Sequence, residues 1–286
     1  MNLLDRCADW PAATTVAAVV RRGSGELVES HGDLDRVMRL ASLSKPLTAW
    51  AVLVAVEEGI VDLDGVLPES ATGQPSCTMR HLLSHAGGYP FDGTTPISPP
   101  ERTRTYSNGG IELAAGCVEA VADMPFAEYL RLAVFEPLGM SATELRGSPA
   151  RGVFGTVGDM MRFLAEVERP TLLHDDTAGE ATRVQYPSLS GIVPGVGRYA
   201  QCPWGLGFEI RGGKTPHWTG TRNSPRTFGH FGGSGTMMWT DPDAELSLLA
   251  FSDLAFDEWA DVALSEWPAL SDDALVAYGG SGGPRP

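Results

Sequence analysis

Residues 41–58 read ASLSKPLTAWAVLVAVEE, and from Leu43 to Glu58 nearly every side of a 3.6-residue repeat is apolar. A helix with no wet face belongs in the middle of a domain, not on its surface. Gly59 closes it. Pro46 falls in its first turn, where a missing N–H costs little. At the head of this helix stand Ser42 and Lys45, one turn apart on one face. Ser42 lies at the positive end of the helix dipole, which favours negative charge developing on its oxygen and on an attacked carbonyl. Burial among apolar residues lowers a lysine pKa, so Lys45 can be neutral part of the time and accept a proton. An N-capping serine followed by an ordinary lysine would read the same way, so the pair is weak by itself. Ser44 has no lysine three residues on. Of 21 basic residues only Lys45 and Lys214 are lysines, which makes a lysine inside a motif harder to obtain by accident.

Working outward, Thr14–Arg21 and Glu26–His31 read as strands joined by a turn with two glycines. Residues 60–105 are rich in loops, with a short helix around Met79–His85. Asn108–Ala122, Pro125–Phe135 and Thr156–Val167 read as helices, and 169–203 as an irregular excursion over the surface. The last third alternates short strands (Gly205–Ile210, Arg226–Phe231, Gly235–Thr240, Leu246–Phe251) with turns and closes on an amphipathic helix, Phe256–Glu266. Two strands, many helices, then several strands predict an α/β chain of the α+β type: one antiparallel sheet flanked by helices, with an all-helical insertion. The expected division is a split sheet domain, 1–62 and 150–270, a helical insertion at 63–149 and a flexible tail at 271–286.

Composition narrows the function. With 43% apolar and 20% charged residues the 286-residue chain is of ordinary globular make-up. A formal net charge of −15 with no basic run excludes nucleic acid and an anionic membrane surface as partners. Asp5 and Asp9 stand where a secretory leader would be basic and then apolar, and no apolar run is long enough to span a bilayer, so a cytoplasmic location is expected. Cys7, Cys77, Cys117 and Cys202 form no C-x-x-C pair, and no cofactor or metal is expected. His81 and His85 have zinc-compatible i, i+4 spacing, but HLLSH lacks the zincin glutamate. Gly279–Gly283 satisfies G-x-S-x-G formally, with neither the strand before it nor the helix after it that the chemistry needs.

Two further motifs carry chemistry. In RTYSNGG, Tyr106 and Asn108 form Y-x-N directly before a helix. A phenol near an ammonium ionises more easily and can relay protons, and an amide can hold a carbonyl. In FGHFGGSGTMMW, His230 ends a strand and is followed by Gly232, Gly233 and Gly235. Glycines at a strand edge let a ligand lie against backbone N–H groups. A loop tyrosine before an Asn N-cap, and a glycine hairpin with an incidental histidine, are the bland alternatives.

In this order the three motifs resemble the serine β-lactamase and penicillin-binding protein family, in its class C and family VIII carboxylesterase branch. The resemblance extends over residues 10–268 and includes RHLLSHAGGYP (80–90), FGTVGDMMRFL (154–164) and WGLGFEI (204–210). It implies an acylated Ser42, Lys45 as its base, Tyr106 as proton relay, Asn108 and His230 as substrate-binding groups, and an oxyanion hole from the Ser42 and Gly233 N–H groups. Gly232 joins the substrate-binding set by the same carry-over. His230-Phe231-Gly232 stands where the family has K-T-G. A neutral imidazole and a phenyl ring replace groups that grip a carboxylate, an interaction worth about 1–3 kcal/mol. Neutral esters or amides are therefore favoured over β-lactams and D-alanyl peptides. Lys214-Thr215-Pro216 is a rival match, placed in a polar loop. The short interval from Ser42 to Tyr106 implies a trimmed insertion and a more open cleft. The resemblance implies a serine hydrolase, esterase-like, acting on a small ester, amide or lactam. It leaves open a β-lactamase or D-alanyl-D-alanine peptidase, an acyltransferase, and a ligand-binding protein without turnover.

Overall fold

The hairpin read at the N-terminus is β1 (Thr15–Arg21) and β2 (Leu27–His31), seen in a computed structural model that describes residues 2–280. A two-residue strand, β3 (Met38–Arg39), and a 3₁₀ turn at Ala41–Leu43 lead into α1 (Ser44–Glu57). The short helices α2 (Glu69–Thr72) and α3 (Met79–Leu83), the strand β4 (Arg104–Thr105), and helices α4 (Asn108–Ala122) and α5 (Phe126–Leu130) follow. Where one helix was expected over Pro125–Phe135, the chain passes from α5 into a π turn at Arg131–Phe135. After β5 (Glu144–Leu145), β6 (Val153–Gly155) and α6 (Val157–Glu168), residues 169–203 depart from expectation. They hold a helix, α7 (Asp175–Thr182), and a hairpin, β7 (Gly191–Val193) and β8 (Gly197–Tyr199), rather than an irregular excursion. The hairpin is anchored because β7 pairs in parallel with β4.

The remaining strands are β9 (Glu209–Ile210), β10 (Phe228–Gly232), β11 (Thr236–Asp241) and β12 (Leu246–Ser252), before α8 (Phe256–Tyr278). They join the first hairpin in a six-stranded antiparallel sheet of order β2-β1-β12-β11-β10-β9. The chain is thus an antiparallel sheet flanked by helices, as the element order predicted. Val16, Ala18 and Val20 face a core shared with α1, α4 and α6, while Ala17 and Val19 face the cluster under α8. This alternation is the period of two that a strand covered on both faces requires. Residues of the stretch 63–149 lie in the same apolar cluster as the sheet, because α1 is buried all round and both parts pack on it. Among the described residues no helix is long and apolar enough to cross a membrane.

The expected tail at 271–286 is corrected in its first half. Residues 271–278 are the end of α8, where Ser271 and Ala274 are buried and Ser271 Oγ accepts from the Trp239 indole at 3.0 Å. The helix runs on through Pro268, and Leu270 and Ala274 keep an apolar face on the sheet that holds it in place. Residues 281–286, with the G-x-S-x-G serine, lie outside the described residues.

One glycine fixes α1 against the sheet edge. Gly207 has φ +78°, and a Cβ there would stand 2.5 Å from the Ala49 Cβ and 2.9 Å from the Lys45 carbonyl oxygen. Gly207→Ala is expected to lower the urea midpoint with little change in m-value. The left-handed backbone alone costs about 1–2 kcal/mol, and the clash with α1 adds to it. An unchanged midpoint would show that this approach is not needed.

Candidate active site

The turn that delivers Ser42 is held from two sides. Ala41 sits at φ +47°, a left-handed conformation that a non-glycine residue adopts only when its surroundings impose it. Ser44 Oγ donates to the Ala41 carbonyl at 2.6 Å and accepts from the Val153 N–H at 2.9 Å. On the other side Thr236 Oγ1 donates to the Leu40 carbonyl at 3.0 Å, and Ser234 Oγ to the Arg39 carbonyl at 2.6 Å. The turn is thus clamped between β6 and the β10–β11 hairpin. Gly232 belongs to this clamp: a Cβ on it would meet the Leu40 carbonyl oxygen at 2.5 Å and Thr236 Oγ1 at 2.4 Å. At this position glycine permits the close approach of backbones.

Lys45 is fully buried and its Nζ has three neighbours: Asn108 Oδ1 at 2.7 Å, the Ala150 carbonyl at 3.0 Å and Ser42 Oγ at 3.1 Å. The first two have only lone pairs to offer, so each takes an N–H. A neutral amine then has its lone pair left for the Ser42 hydroxyl. Burial, then the nearby Arg151 guanidinium, holds the Lys45 pKa well below the usual lysine range, against the opposing pull of Glu112 and Asp92.

Asn108 stands behind this lysine. It is buried, its carbonyl holds Lys45 and its amide donates to Asp92 Oδ1 at 3.0 Å. Its carbonyl thereby orients the lysine amine. The sequence could not show this, because Asp92 and Ala150 come from remote loops.

Tyr106 follows β4, whose Arg104 is buried and donates to the carbonyls of Cys202, Ser84, Gln185 and Tyr186 at 2.5–3.1 Å. This anchor aims the Tyr106 hydroxyl at Ser42 Oγ, 2.8 Å away. The ring lies 4.6 Å from Lys45 Nζ and packs against His85, Phe91, Trp204 and His230. The expected easing of its ionisation is not found. Burial raises the Tyr106 pKa, outweighing the hydrogen bond to Ser42, so the group is a neutral phenol and a donor. His81 and His85 serve different partners. His81 completes the cap of α3 and faces Glu101, whereas His85 Nδ1 accepts from the Ser107 N–H at 3.2 Å and its ring lies under Tyr106.

Beside these groups lies a pocket of about 220 Å³, lined by Ser42, Tyr106, His230, Gly233 and an apolar wall that includes Phe91, Trp204, Phe231 and Phe256. The β7–β8 turn, Val193–Gly195, closes one side, which offsets the open cleft expected from the short insertion. His230 is 2% exposed, and burial, then the charge of Lys45, pushes its pKa down to about 3. A larger hollow of about 550 Å³ lies over α4 and residues 60–71, but none of the motif residues lines it.

Sequence reasoning missed Glu209 and the burial of Lys214. Lys214 lies in the loop between β9 and β10, but its side chain is not solvated: it is 2% exposed, with Nζ 2.7 Å from Glu209 Oε1. Glu209, on the pocket wall, also faces His217 Nε2 at 3.1 Å and accepts from Trp218 Nε1 at 2.8 Å. Burial would raise the Glu209 pKa, but Lys214 and His217 together hold it well below the carboxylate range. A buried pair of this kind is kept neutral as a unit. The only signal for it in the sequence was that one of two lysines follows WGLGFEI closely.

The family model described as Beta-lactamase matches residues 9–267. A beta-lactamase from Mycobacterium bovis is 42% identical, with a TM-score of 0.90 over 97% of this chain and 99% of that one. "Penicillin-binding protein 4*" of Bacillus subtilis (strain 168) is 28% identical over 59% of this chain and 44% of its own length. The chain thus spans less than two thirds of the length of the curated relatives it matches. The fold is also that of EstCE1, described as "a hydrolase with promiscuous acyltransferase activity", at 17% identity and TM-score 0.76 over 97% of each chain.

Proposed function

This chain belongs to the beta-lactamase family, and from that premise we propose that it is a serine hydrolase, esterase-like, working through an acyl-enzyme on Ser42. One observation carries the reading: Ser42 Oγ is met at once by the Lys45 amine at 3.1 Å and the Tyr106 hydroxyl at 2.8 Å, at the wall of a pocket. Ser42 Oγ attacks the substrate carbonyl carbon as its proton passes to neutral Lys45 Nζ. The oxyanion is met by the Ser42 and Gly233 N–H groups. As the tetrahedral centre collapses, the leaving oxygen or nitrogen takes the Tyr106 proton, and the Lys45 ammonium reprotonates the phenolate. Water then attacks the acyl carbon and gives its proton to Lys45. Ser42 Oγ departs, regaining a proton through Tyr106. No lysine or arginine lines the pocket to hold a carboxylate, which supports esters or amides without that group.

Mass spectrometry after a fluorophosphonate is the test: one adduct is expected, on Ser42, together with p-nitrophenyl ester hydrolysis. Both are expected to vanish in Ser42→Ala. Equal ester turnover by that variant would end the proposal. The second reading, lactam hydrolysis, is favoured by the 42% identity to the Mycobacterium bovis protein. Nitrocefin turnover exceeding that of short esters would put it first.

A further inference from the structure

His230 and Trp204 are the two groups on the pocket wall whose buried side-chain nitrogens lack a hydrogen-bond partner, and only His230 can offer an acceptor. It is 2% exposed, it lines the pocket, and its Nε2 has no hydrogen-bond partner. Its Nδ1 lies 2.6 Å from the Phe231 carbonyl oxygen. A carbonyl can only accept, so Nδ1 carries the hydrogen, and in the neutral ring Nε2 is a bare lone pair. Burial keeps the ring neutral. A buried acceptor without a donor is costly, and the unpartnered indole N–H of Trp204 on the same wall makes no hydrogen bond to it.

The neighbouring groups define what can meet it. Glu209, the other buried acceptor on this wall, is already engaged by Lys214, His217 and Trp218. A carboxylate would face a lone pair and the acidic Glu209 and Asp257, with no cation on the wall to hold it. An ammonium would find Glu209 already paired with Lys214, which leaves Asp257 as the other carboxylate on the wall, and that one is exposed. What remains is an uncharged donor. The ring centroid lies 5.8 Å from that of Tyr106, whose hydroxyl touches the nucleophile, so the donor must sit close to the scissile carbonyl. A volume of about 220 Å³ limits the acyl part to a short one.

We propose that His230 Nε2 is a specificity-determining acceptor that selects short esters or amides carrying a neutral O–H or N–H donor beside the reacting carbonyl, such as hydroxyacyl or acylaminoacyl compounds. The proposal rests on the serine-hydrolase reading. Its test is a set of matched p-nitrophenyl esters: 3-hydroxybutanoate against 3-methoxybutanoate, and N-acetylglycinate against N-acetylsarcosinate. In wild type each donor-bearing ester is expected to exceed its methylated partner in kcat/KM by about tenfold or more. In His230→Phe, which keeps an aromatic ring against Tyr106 and Trp204, the ratio is expected to fall to within about twofold of unity. In His230→Gln, whose amide oxygen can accept, part of the preference returns.

The wild-type ratio decides the matter even where a variant folds poorly. A ratio near one, with esters turned over and Ser42 labelled, overturns the specificity proposal and leaves the hydrolase reading intact. A higher kcat/KM for a hemisuccinate ester than for the hydroxy ester also overturns it. Failure of every ester together with an unlabelled Ser42 removes the hydrolase reading, and the proposal with it.

Discussion

Lys45→Met is expected to lower kcat/KM for a p-nitrophenyl ester by about 10³–10⁴-fold, the range a positioned proton acceptor supplies. The size follows from the three neighbours of Nζ. Asn108 and Ala150 take its two N–H groups and turn its lone pair toward Ser42, and a thioether can neither hold those acceptors nor accept the serine proton. The pH dependence separates this role from simple packing. Burial depresses the Lys45 pKa, so kcat/KM should rise with pH through an ionisation well below the ordinary lysine value of about 10.4. Lys45→Met should lose that limb.

Stability carries a second signature with a definite sign. Between the depressed folded pKa and the ordinary unfolded one, the unfolded chain binds a proton that the folded chain does not. Wild-type stability therefore rises with pH across that window and levels off above about 10.4. The variant leaves Asn108 Oδ1 and the Ala150 carbonyl without their donor, at about 1–3 kcal/mol each, and has no such slope. The gap between the two proteins should widen with pH. A gap constant between pH 6 and pH 9 by urea unfolding would show that Lys45 is charged in the folded protein throughout.

What the sequence made legible was local. The apolar run behind Ser42 declared a buried helix because no face of it could be wet, and the strand-like segments of the last third paired as their alternation required. The order of Ser42/Lys45, Tyr106/Asn108 and His230 could be read because each pair lies within one turn or one strand. What failed was remote. Nothing near Asn108 in the sequence shows that Asp92 holds its amide. Lys214 reads as a solvated loop residue until Glu209 is found beneath it. The strands β7 and β8 are only three residues long, too short to stand out in the sequence, and they are held by pairing with β4. Nor does the sequence show the Leu40 carbonyl against which Gly232 packs.

The phenol offers a sharper discrimination than the lysine. Tyr106 is neutral at rest, held protonated by burial, and its hydroxyl points at Ser42 Oγ. A group in that state is an acid first, and its work falls where an alkoxide or amide anion must be protonated to depart. Tyr106→Phe should therefore lose about 10²–10⁴-fold in kcat/KM for an alkyl ester whose alcohol cannot leave as an anion. The same variant should lose much less with a p-nitrophenyl ester of the same acyl group, since a nitrophenolate departs without a proton. The ring itself is kept, so its packing against His85, Trp204 and His230 survives, and a loss confined to poor leaving groups cannot be assigned to a loosened pocket. Equal losses on both esters would move Tyr106 from leaving-group protonation to the attack of Ser42, and with it the assignment of the proton that Lys45 receives.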